Sequence, residues 1–326
     1  MSERLDLSIV IPAYNEAESL PGLHSEIAAA LKPLGVAYEV IVVDDGSTDA
    51  TFDTLRRLAA VDPRLTAVQL RRNFGQTAAF AAGFDRARGD VVITMDADGQ
   101  NDPADVPKLL AKIAEGYDIV SGWRTRRREP ALTRRIPSII ANRILAASTG
   151  VRLHDTGCSL KAYRNEVVKH VRLYGEMHRF IPALASGMGV RVAEAPVNDR
   201  LRRFGKSKYG LSRTFKVILD LLTLNFLLGF QARPMQLFGG IGLITGGAGL
   251  AILLILTYEK LFRGALLSNR PILWLGILLV ILGVQFAFFG LIAEMLTRIY
   301  HEASGRATYA IREIVNDHPA DRPLSD

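Results

Sequence analysis

The sequence predicts an α/β domain with a doubly wound sheet, followed by two helices that cross a membrane. Short β-branched runs alternate with helical stretches from residue 7 to about residue 122, an order typical of a parallel sheet covered on both faces. Further along, the stretches 234–258 and 271–293 contain no charged residue. Each is longer than the ~20 apolar residues that a helix needs to cross a bilayer.

Five short apolar runs are the predicted strands. They are LSIVIP at 7–12, YEVIVVDD at 38–45, LTAVQL at 65–70, DVVITMD at 90–96 and YDIVSG at 117–122. Helical stretches at 16–34, 48–61, 75–88 and 103–116 follow the first four strands. We expect Asn15 and Ser47 to cap the first two helices, and Pro103 to lie in the first turn of the fourth.

The basic residues cluster beside the apolar part of the chain. The formal net charge is +7, with six arginines between residues 124 and 135 and seven Lys or Arg between 200 and 216. Such clusters bind nucleic acid or anionic lipid, and the neighbouring spans favour the membrane. The stretches 136–149 and 209–230 are interpreted as amphipathic helices lying in the interface, with core helices as the alternative. A single cysteine, Cys158, excludes an intrachain disulfide.

Charge distribution also predicts the topology. The loop 259–270 holds only three cations, far fewer than the segment before the first span, so both termini are expected in the cytoplasm. The alternative reading of the spans is a pair of buried core helices. The predicted organisation is a cytoplasmic α/β domain 1–205, a juxtamembrane helix 206–233, spans 234–258 and 271–297 around the external loop 259–270, and a cytoplasmic tail 298–326. Gly242 and Gly246 permit close packing of the first span.

Acidic or polar residues follow three of the predicted strands. They form the motifs PAYNE at 12–16, DDGSTD at 44–49 and DADGQ at 96–100. In an open α/β sheet, ligands bind beyond the carboxyl ends of the strands. The three motifs are therefore expected to meet at one crevice.

The third motif is typical of a divalent-cation site. Asp96, Asp98 and Gln100 share one parity on an extended segment and would point the same way. Their hard oxygen ligands suit Mg²⁺ or Mn²⁺, which take further ligands from water and substrate phosphates. An EF-hand is excluded because Asn101 and Pro107 stand where its glycine and glutamate would be. The sequence has neither GxxxxGK[ST] nor a GxGxxG after the first strand.

Six motifs in order, followed by two spans, resemble one family of enzymes. The motifs are PAYNE, VVDDGSTD, RNFGQ, MDADGQ, DTGCSLKAYR and RRFGKSKYG. Together they are similar to the family 2 glycosyltransferases that load sugars onto polyprenyl phosphates, such as the dolichyl-phosphate mannose synthases. The bacterial undecaprenyl-phosphate aminoarabinose and glucosyl transferases are closest in layout, and the resemblance runs over roughly residues 7–315. It implies a GT-A type catalytic domain.

The resemblance also implies roles for individual residues. Those implied to bind the nucleotide are Pro12, Tyr14, Glu16, Asp44, Asp45 and Asp96, without a choice between Asp44 and Asp45. Those implied to hold the metal are Asp96, Asp98 and Gln100. Gly99 replaces the family's usual leucine and is expected to loosen the backbone there.

The remaining implied residues serve the phosphates and the reaction. Arg124, Arg202 and Lys208 match basic contacts to phosphate groups. Asp155 and Asp98 carry the catalytic assignment. Asp155 stands where the family has a proposed base, but a phosphate acceptor is already ionised near neutral pH, so Asp155 is either a base or an orienting residue. Metal and basic side chains around the two anions would do most of the work.

The function implied by the resemblance is inverting, metal-dependent transfer of a sugar from a nucleotide sugar to undecaprenyl phosphate. The nucleotide is expected to be UDP, with GDP as the alternative, and the reaction to occur at the cytoplasmic face of a bacterial inner membrane during cell-envelope modification. A homo-oligomer, such as a tetramer, is also implied. Two alternatives are a polysaccharide synthase, whose QxxRW motif is absent from the sequence, and a catalytically inactive membrane scaffold.

Overall fold

The computed structural model divides the chain into two compact units. One holds Met1–Leu222 together with Ala307–Asp326, and the other holds Thr223–Arg306. The residues that the structure describes are 5–125, 151, 153–171, 173, 177–200, 234–264, 270–303 and 308–317. The predicted interfacial helices at 136–149 and 209–230 lie outside these ranges, as do Arg202 and Lys208.

In the described part of the chain, the first unit is built on an eight-stranded mixed sheet. Its strands are β1 Leu7–Ala13, β2 Tyr38–Asp44, β3 Leu65–Leu70, β4 Val91–Thr94, β5 Ile119–Arg124, β6 Lys161–Arg164, β7 Val192–Val197 and β8 Ile311–Val315. Their spatial order is β7-β5-β6-β4-β1-β2-β3-β8. β6 is antiparallel to β4 and β5, and β8 to β3, whereas all other neighbours are parallel.

The first five strands confirm the predicted ones, with shifted ends. β4 stops at Thr94, two residues before the predicted end, and β5 begins at Ile119 rather than at residue 117. β6, β7 and β8 were not predicted. Each carries charged residues or a proline, as in KAYR of β6, and none reads as an apolar run.

Helices cover both faces of the sheet, as predicted. They are α1 Leu20–Leu31, α2 Thr51–Val61, α3 Gln76–Arg86, α4 Val106–Ala114, α5 Asn165–His170 and α6 Ile181–Leu184. The apolar residues of α1, α2 and α4 are buried against one face, with Ile9 and Ile93 of the strands. Those of α3, α5 and α6 are buried against the other, with Val10 and Val92. The alternation of apolar side chains along each strand therefore supplies two cores.

The predicted caps at Asn15 and Ser47 are wrong. The helices begin later, after Ser19 and Ala50. Asn15 has a positive φ of 57°, and its backbone N–H donates to Ser47 Oγ at 2.9 Å. The side chains instead join the loops after β1 and β2. The prediction for Pro103 is confirmed in part, because it opens a 3-10 turn, Pro103–Asp105, that leads into α4 and is capped by Asp102.

Strand directions bring the predicted motifs to one edge of the sheet. β1, β2, β4 and β5 are parallel in sense, so their carboxyl ends lie on the same side. Because β6 runs the opposite way, the loop that precedes it also opens at this edge. β7 ends there as well. Residues from six loops can therefore contribute to one site.

The chain returns to this sheet after the second unit. β8 pairs with β3 at the sheet's outer edge. Asn316 closes the junction, because its Nδ2 donates to Ala59 O at 2.7 Å and its carbonyl accepts from Thr66 Oγ1 at 2.9 Å. The sequence predicted only a tail after residue 298. Part of that segment is an edge strand of the eight-stranded sheet.

Two long helices form the described part of the second unit. They are α7 Pro234–Arg263 and α8 Pro271–Ala303. Phe238–Arg263 and Pro271–Ala293 are long and apolar enough to cross a membrane, and only 22% and 17% of their most apolar stretches are buried. The core helix of a soluble protein would instead be mostly buried. The helices touch through glycines: a Cβ placed on Gly283 would lie 2.6 Å from Gly246 Cα.

Candidate active site

The Asp96 carboxylate is held by side chains from two other segments. Gln76, the first residue of α3, donates from Nε2 to Asp96 Oδ1 at 2.7 Å. Ser159, in the loop before β6, donates from Oγ to Asp96 Oδ2 at 2.6 Å. The backbone N–H of Asp96 donates to Asn101 Oδ1 at 2.8 Å. Both carboxylate oxygens of Asp96 therefore have fixed directions, and the residue is half-buried.

Asp98 and Gln100 lie in a turn, so the extended segment assumed from their parity is wrong. The chain turns at Ala97–Asp98, and Gly99 has a φ of +73°. The backbone N–H of Gln100 donates to Asp98 Oδ1 at 3.1 Å, which closes the turn. A leucine would adopt this left-handed conformation only with strain. Gly99 therefore permits a tight turn. This turn explains a glycine at the position without the looser backbone that the sequence suggested.

The segment after β7 fixes the far end of this turn. The backbone N–H of Arg200 donates to Gln100 O at 3.1 Å. The guanidinium of Arg200 reaches Asp102 Oδ1 at 2.6 Å and also pairs with Glu26. Asn198 Nδ2 donates to Asp102 Oδ2 at 3.1 Å. The loop 96–102 is thus held at both ends.

Asp44 and Asp45 are buried and shape the neighbouring loops. Asp44 Oδ1 accepts from the Ser47 N–H at 3.0 Å. The Asp45 carboxylate accepts from the backbone N–H groups of Phe74 and Gly75 at 2.7 and 2.9 Å. Burial raises the pKa of both carboxyl groups, while these hydrogen bonds oppose the shift. Asp45 therefore fixes the start of α3, which also carries Gln76.

The residues of the first motif lie at the end of β1. Pro12 is half-buried within the strand opposite Val43, and Tyr14 follows it, also half-buried. Glu16 accepts from Ser19 Oγ at 2.9 Å, and its backbone N–H donates to Thr51 Oγ1 at 2.8 Å. The structure thus places this motif beside the Asp44–Asp45 loop, as the predicted crevice requires.

Arg124 and Asp155 form a buried ion pair. Arg124, the last residue of β5, donates from Nε to Asp155 Oδ2 at 2.8 Å and from Nη2 to Asp155 Oδ1 at 3.2 Å. The Asp155 side chain is fully buried, whereas that of Arg124 is 22% exposed. Although burial acts in the opposite direction, the paired carboxylate raises the pKa of the Arg124 guanidinium. The sequence indicated both residues as functional but did not predict their pairing.

Glu194 of β7 supports the loop that carries Asp155. Its Oε1 accepts from the backbone N–H groups of His154 and Asp155, at 2.8 and 3.2 Å. Its Oε2 lies 2.7 Å from His154 Nδ1. The His154 ring stacks on Trp123, with centroids 4.5 Å apart. Glu194 therefore fixes the backbone of Asp155 from a third strand.

A lysine lies inside the protein beneath these carboxylates. Lys161 is 3% exposed, and its Nζ donates to Thr156 O at 3.2 Å. Burial lowers its pKa to about 8, against the attraction of the Asp155 and Asp96 carboxylates. The buried Cys158 thiol has a pKa raised to about 11 for the same reason. Cys158 is thus a packed thiol.

The donors of the 96–100 turn fit a hard divalent cation. Asp96 and Asp98 provide carboxylate oxygens and Gln100 an amide oxygen, which are the ligands that Mg²⁺ and Mn²⁺ prefer. No group of three or more His, Cys, Asp or Glu in the described ranges is arranged to hold a metal. A cation here would take its remaining ligands from water and a substrate diphosphate.

Sequence reasoning assigned no role to several residues that build this edge. Gln76 and Ser159 stand in the quoted motifs RNFGQ and DTGCSLKAYR. Lys161 stands in the second of these motifs, and Glu194 in none. A polar residue inside a quoted motif was the available signal for the first three. Their partners could not be read from the sequence, because they lie far away along the chain.

Solved structures of sugar-phosphate synthases share this fold. Glucosyl-3-phosphoglycerate synthase from Mycobacterium tuberculosis, in complex with Mn²⁺, UDP and phosphoglyceric acid, has a TM-score of 0.52 at 21% identity, covering 68% of this chain and 78% of that chain. Mannosyl-3-phosphoglycerate synthase from Rubrobacter xylanophilus has a TM-score of 0.52 at 17% identity, covering 68% and 74%. The fold is therefore that of the GT-A type nucleotide-sugar transferases.

Sequence comparison narrows this class to a family. The profile of "Glycosyl transferase family 2" matches residues 8–172. Dodecaprenyl-phosphate galacturonate synthase of Rhizobium johnstonii is 44% identical over 97% of this chain and 94% of its own. Undecaprenyl-phosphate 4-deoxy-4-formamido-L-arabinose transferase of Pseudomonas paraeruginosa is 38% identical over 97% and 92%. The chain belongs to glycosyl transferase family 2, which confirms the predicted family and enzyme class.

Proposed function

We propose that the protein is an inverting, cation-dependent glycosyltransferase that moves a sugar from a UDP-sugar to undecaprenyl phosphate. One observation carries the proposal: the likeness to enzymes named for polyprenyl-phosphate substrates covers 97% of the chain. It therefore extends through α7 and α8, well beyond residue 172, where the family profile ends. A polyprenyl acceptor requires an enzyme that works at a bilayer, which these helices supply.

The proposed reaction is a single displacement at the anomeric carbon. An oxygen of the acceptor phosphate forms a bond to this carbon while the bond to the β-phosphate of UDP breaks, so the configuration inverts. The acceptor oxygen is already ionised near neutral pH, and no proton has to be removed. A bound divalent cation would supply positive charge at the leaving diphosphate.

The residues of this chain bind and orient the two anions. Asp96, Asp98 and Gln100 are proposed to hold the cation. The nucleotide pocket is assigned to Pro12, Tyr14, Glu16, Asp44 and Asp45, and phosphate contacts to Arg124, Arg202 and Lys208. We assign Asp155 to orient Arg124 rather than to act as a base, because its carboxylate is fully buried and paired with the guanidinium.

Chain connectivity supports the proposed topology. The helices α7 and α8 are inserted between β7 and β8, which belong to one sheet. Both ends of the inserted segment must therefore lie on the same side of a membrane, and two crossings satisfy this. The basic stretches before α7 favour the cytoplasmic side. We propose a bacterial inner-membrane location, a role in cell-envelope modification, and a homo-oligomeric state.

A panel of sugar nucleotides tests this function. Purified full-length protein with undecaprenyl phosphate and Mn²⁺ is given labelled UDP-galacturonic acid, UDP-4-formamido-arabinose, UDP-glucose and GDP-mannose. We expect label in the lipid phase from at least one UDP-sugar. In a parallel reaction 3-phosphoglycerate replaces the lipid. Transfer only to 3-phosphoglycerate would reject the polyprenyl acceptor, and transfer from GDP-mannose alone would reject UDP.

A further inference from the structure

The carboxylate of Asp96, the proposed cation ligand, is held by hydrogen bonds from two other side chains. A carboxylate offers about four lone-pair sites. Gln76 Nε2 occupies one on Oδ1 at 2.7 Å, and Ser159 Oγ occupies one on Oδ2 at 2.6 Å. One site on each oxygen is left for a cation. The two donors therefore set the plane of the carboxylate without filling it.

The hydroxyl of Ser159 has two acceptors within reach but only one hydrogen. Asp96 Oδ2 lies at 2.6 Å and Asn101 Oδ1 at 3.0 Å. Asn101 Oδ1 already accepts from the Asp96 N–H at 2.8 Å. A hydrogen bond to an ionised carboxylate is shorter and stronger than one to an amide. The Ser159 hydroxyl therefore donates to Asp96 and holds the Asp96 side chain against the loop that precedes β6.

Gln76 is fixed on both sides along the chain. On one side, the N–H groups of Phe74 and Gly75 donate to Asp45, and Gly75 has a φ of +96°. On the other side, Thr77 Oγ1 lies 2.7 Å from His178 Nδ1 in a buried contact. The backbone of Gln76 cannot shift without breaking these contacts. Its amide is thus presented to Asp96 from a rigid helix start.

We propose that Gln76 and Ser159 are positioning residues that pre-orient Asp96 for the cation. This inference rests on the cation site proposed above. A free aspartate would lose side-chain rotational freedom when it binds, and these two bonds remove that freedom beforehand. Second-shell partners of this kind change metal affinity by about 10- to 100-fold. Through Asp45, the same segment links the nucleotide pocket to the cation site.

Direct Mn²⁺ binding tests the proposal without relying on activity. Free Mn²⁺ is measured by electron paramagnetic resonance during titration of full-length protein in detergent, with no nucleotide present. We expect Gln76→Ala and Ser159→Ala each to weaken binding about 10-fold, and Ser159→Thr to retain most of it because the hydroxyl remains. Ser25→Ala, at an exposed serine of α1 whose Oγ donates to Pro21 O at 3.0 Å, serves as the matched control.

Two reference variants separate the possible failures. If wild-type protein binds no Mn²⁺, or if Asp96→Asn binds it equally well, the cation site itself is rejected. If Asp96→Asn loses binding but Gln76→Ala and Ser159→Ala bind like wild type, only the positioning role is rejected. Should Gln76→Ala unfold, Gln76→Asn keeps the amide but shortens its reach, and wild-type Mn²⁺ affinity in that folded variant would overturn the role of Gln76.

Discussion

The two units of the chain differ in which residues they bury. The sheet unit buries its large apolar side chains, whereas the helical unit exposes them and packs through glycines. In the sheet unit, Ile9 and Ile93 are completely buried, and polar side chains at the carboxyl edge satisfy one another. In the helical unit, Leu243 is 79% exposed and Trp274 is 74% exposed, while glycines make the contacts between helices. Lipid tails are as apolar as leucine, so burying large side chains between two membrane helices gains little free energy. Close packing of small residues therefore determines how the helices associate.

This difference predicts which substitutions each unit tolerates. The sheet unit should be sensitive to the loss of a buried charge partner. The helical unit should be sensitive to one added methyl group at a glycine contact. Variants that reverse either sensitivity would remove the distinction between the units.

The largest effect on stability is expected from the buried pair at the site. Asp155→Asn removes the charge that faces Arg124, and breaking a buried ion pair costs about 3 kcal/mol. Thermal unfolding of the purified protein should show a clearly lower Tm. Because Asp155 also orients Arg124, transfer activity should fall in the fraction that stays folded.

Asp53→Asn is the matched control, because the Asp53 side chain is 69% exposed and its ion pair with Arg56 is long, at 3.5 Å. Its Tm should equal that of wild type. An equal Tm for Asp155→Asn would mean that the buried pair does not stabilise the sheet unit.

A smaller effect is expected at the helix contact. In Gly283→Ala, the new Cβ would lie 2.6 Å from the backbone of Gly246, and such overpacking costs about 2 kcal/mol. Gly247→Ala is the control on the facing helix, since nothing lies within 4 Å of its Cβ position. Both variants gain the same helix propensity. Unfolding in detergent should therefore separate them, and identical curves would argue against glycine packing of α7 on α8.

The smallest effect is a pH dependence caused by Lys161. Burial lowers its folded pKa to about 8 from the ordinary lysine value of 10.5, so above pH 8 the unfolded chain binds more protons than the folded one. Stability relative to Lys161→Met should therefore rise with pH, by about 1 kcal/mol between pH 8 and pH 9. Unfolding of both proteins in metal-free buffer measures it. A constant gap between the two proteins would show that Lys161 stays protonated over this range.

The sequence predicted the fold wherever burial left an apolar run. β1 to β3 match their predicted bounds within one residue, because both faces of these strands are covered. β6 was missed because Lys161, a charged residue, is buried in it. β8 was missed because its segment, IREIV, is interrupted by two adjacent charged residues and lies after the membrane helices. Its pairing with β3 depends on contacts across more than two hundred residues, which no local pattern reveals.

The site was predicted by residue type and order, but its connections were not. Strand ends correctly located the acidic motifs at one edge. The predicted extended segment at 96–100 is wrong because β4 ends at Thr94 and Gly99 turns the chain. The pairing of Arg124 with Asp155, and the contacts of Gln76 and Ser159 with Asp96, join segments about 20 to 60 residues apart. Only the folded chain brings them together.

The central claim is that the acidic edge of the sheet unit drives transfer to a lipid phosphate. The most direct measurement is the partition of sugar label into the organic phase, for wild type and Asp96→Asn, with Mn²⁺ and with a chelator. The account predicts lipid-phase label only for wild type with Mn²⁺, and a loss of at least about 100-fold in the variant. Equal labelling of lipid by Asp96→Asn, or by wild type in the chelator, would contradict it.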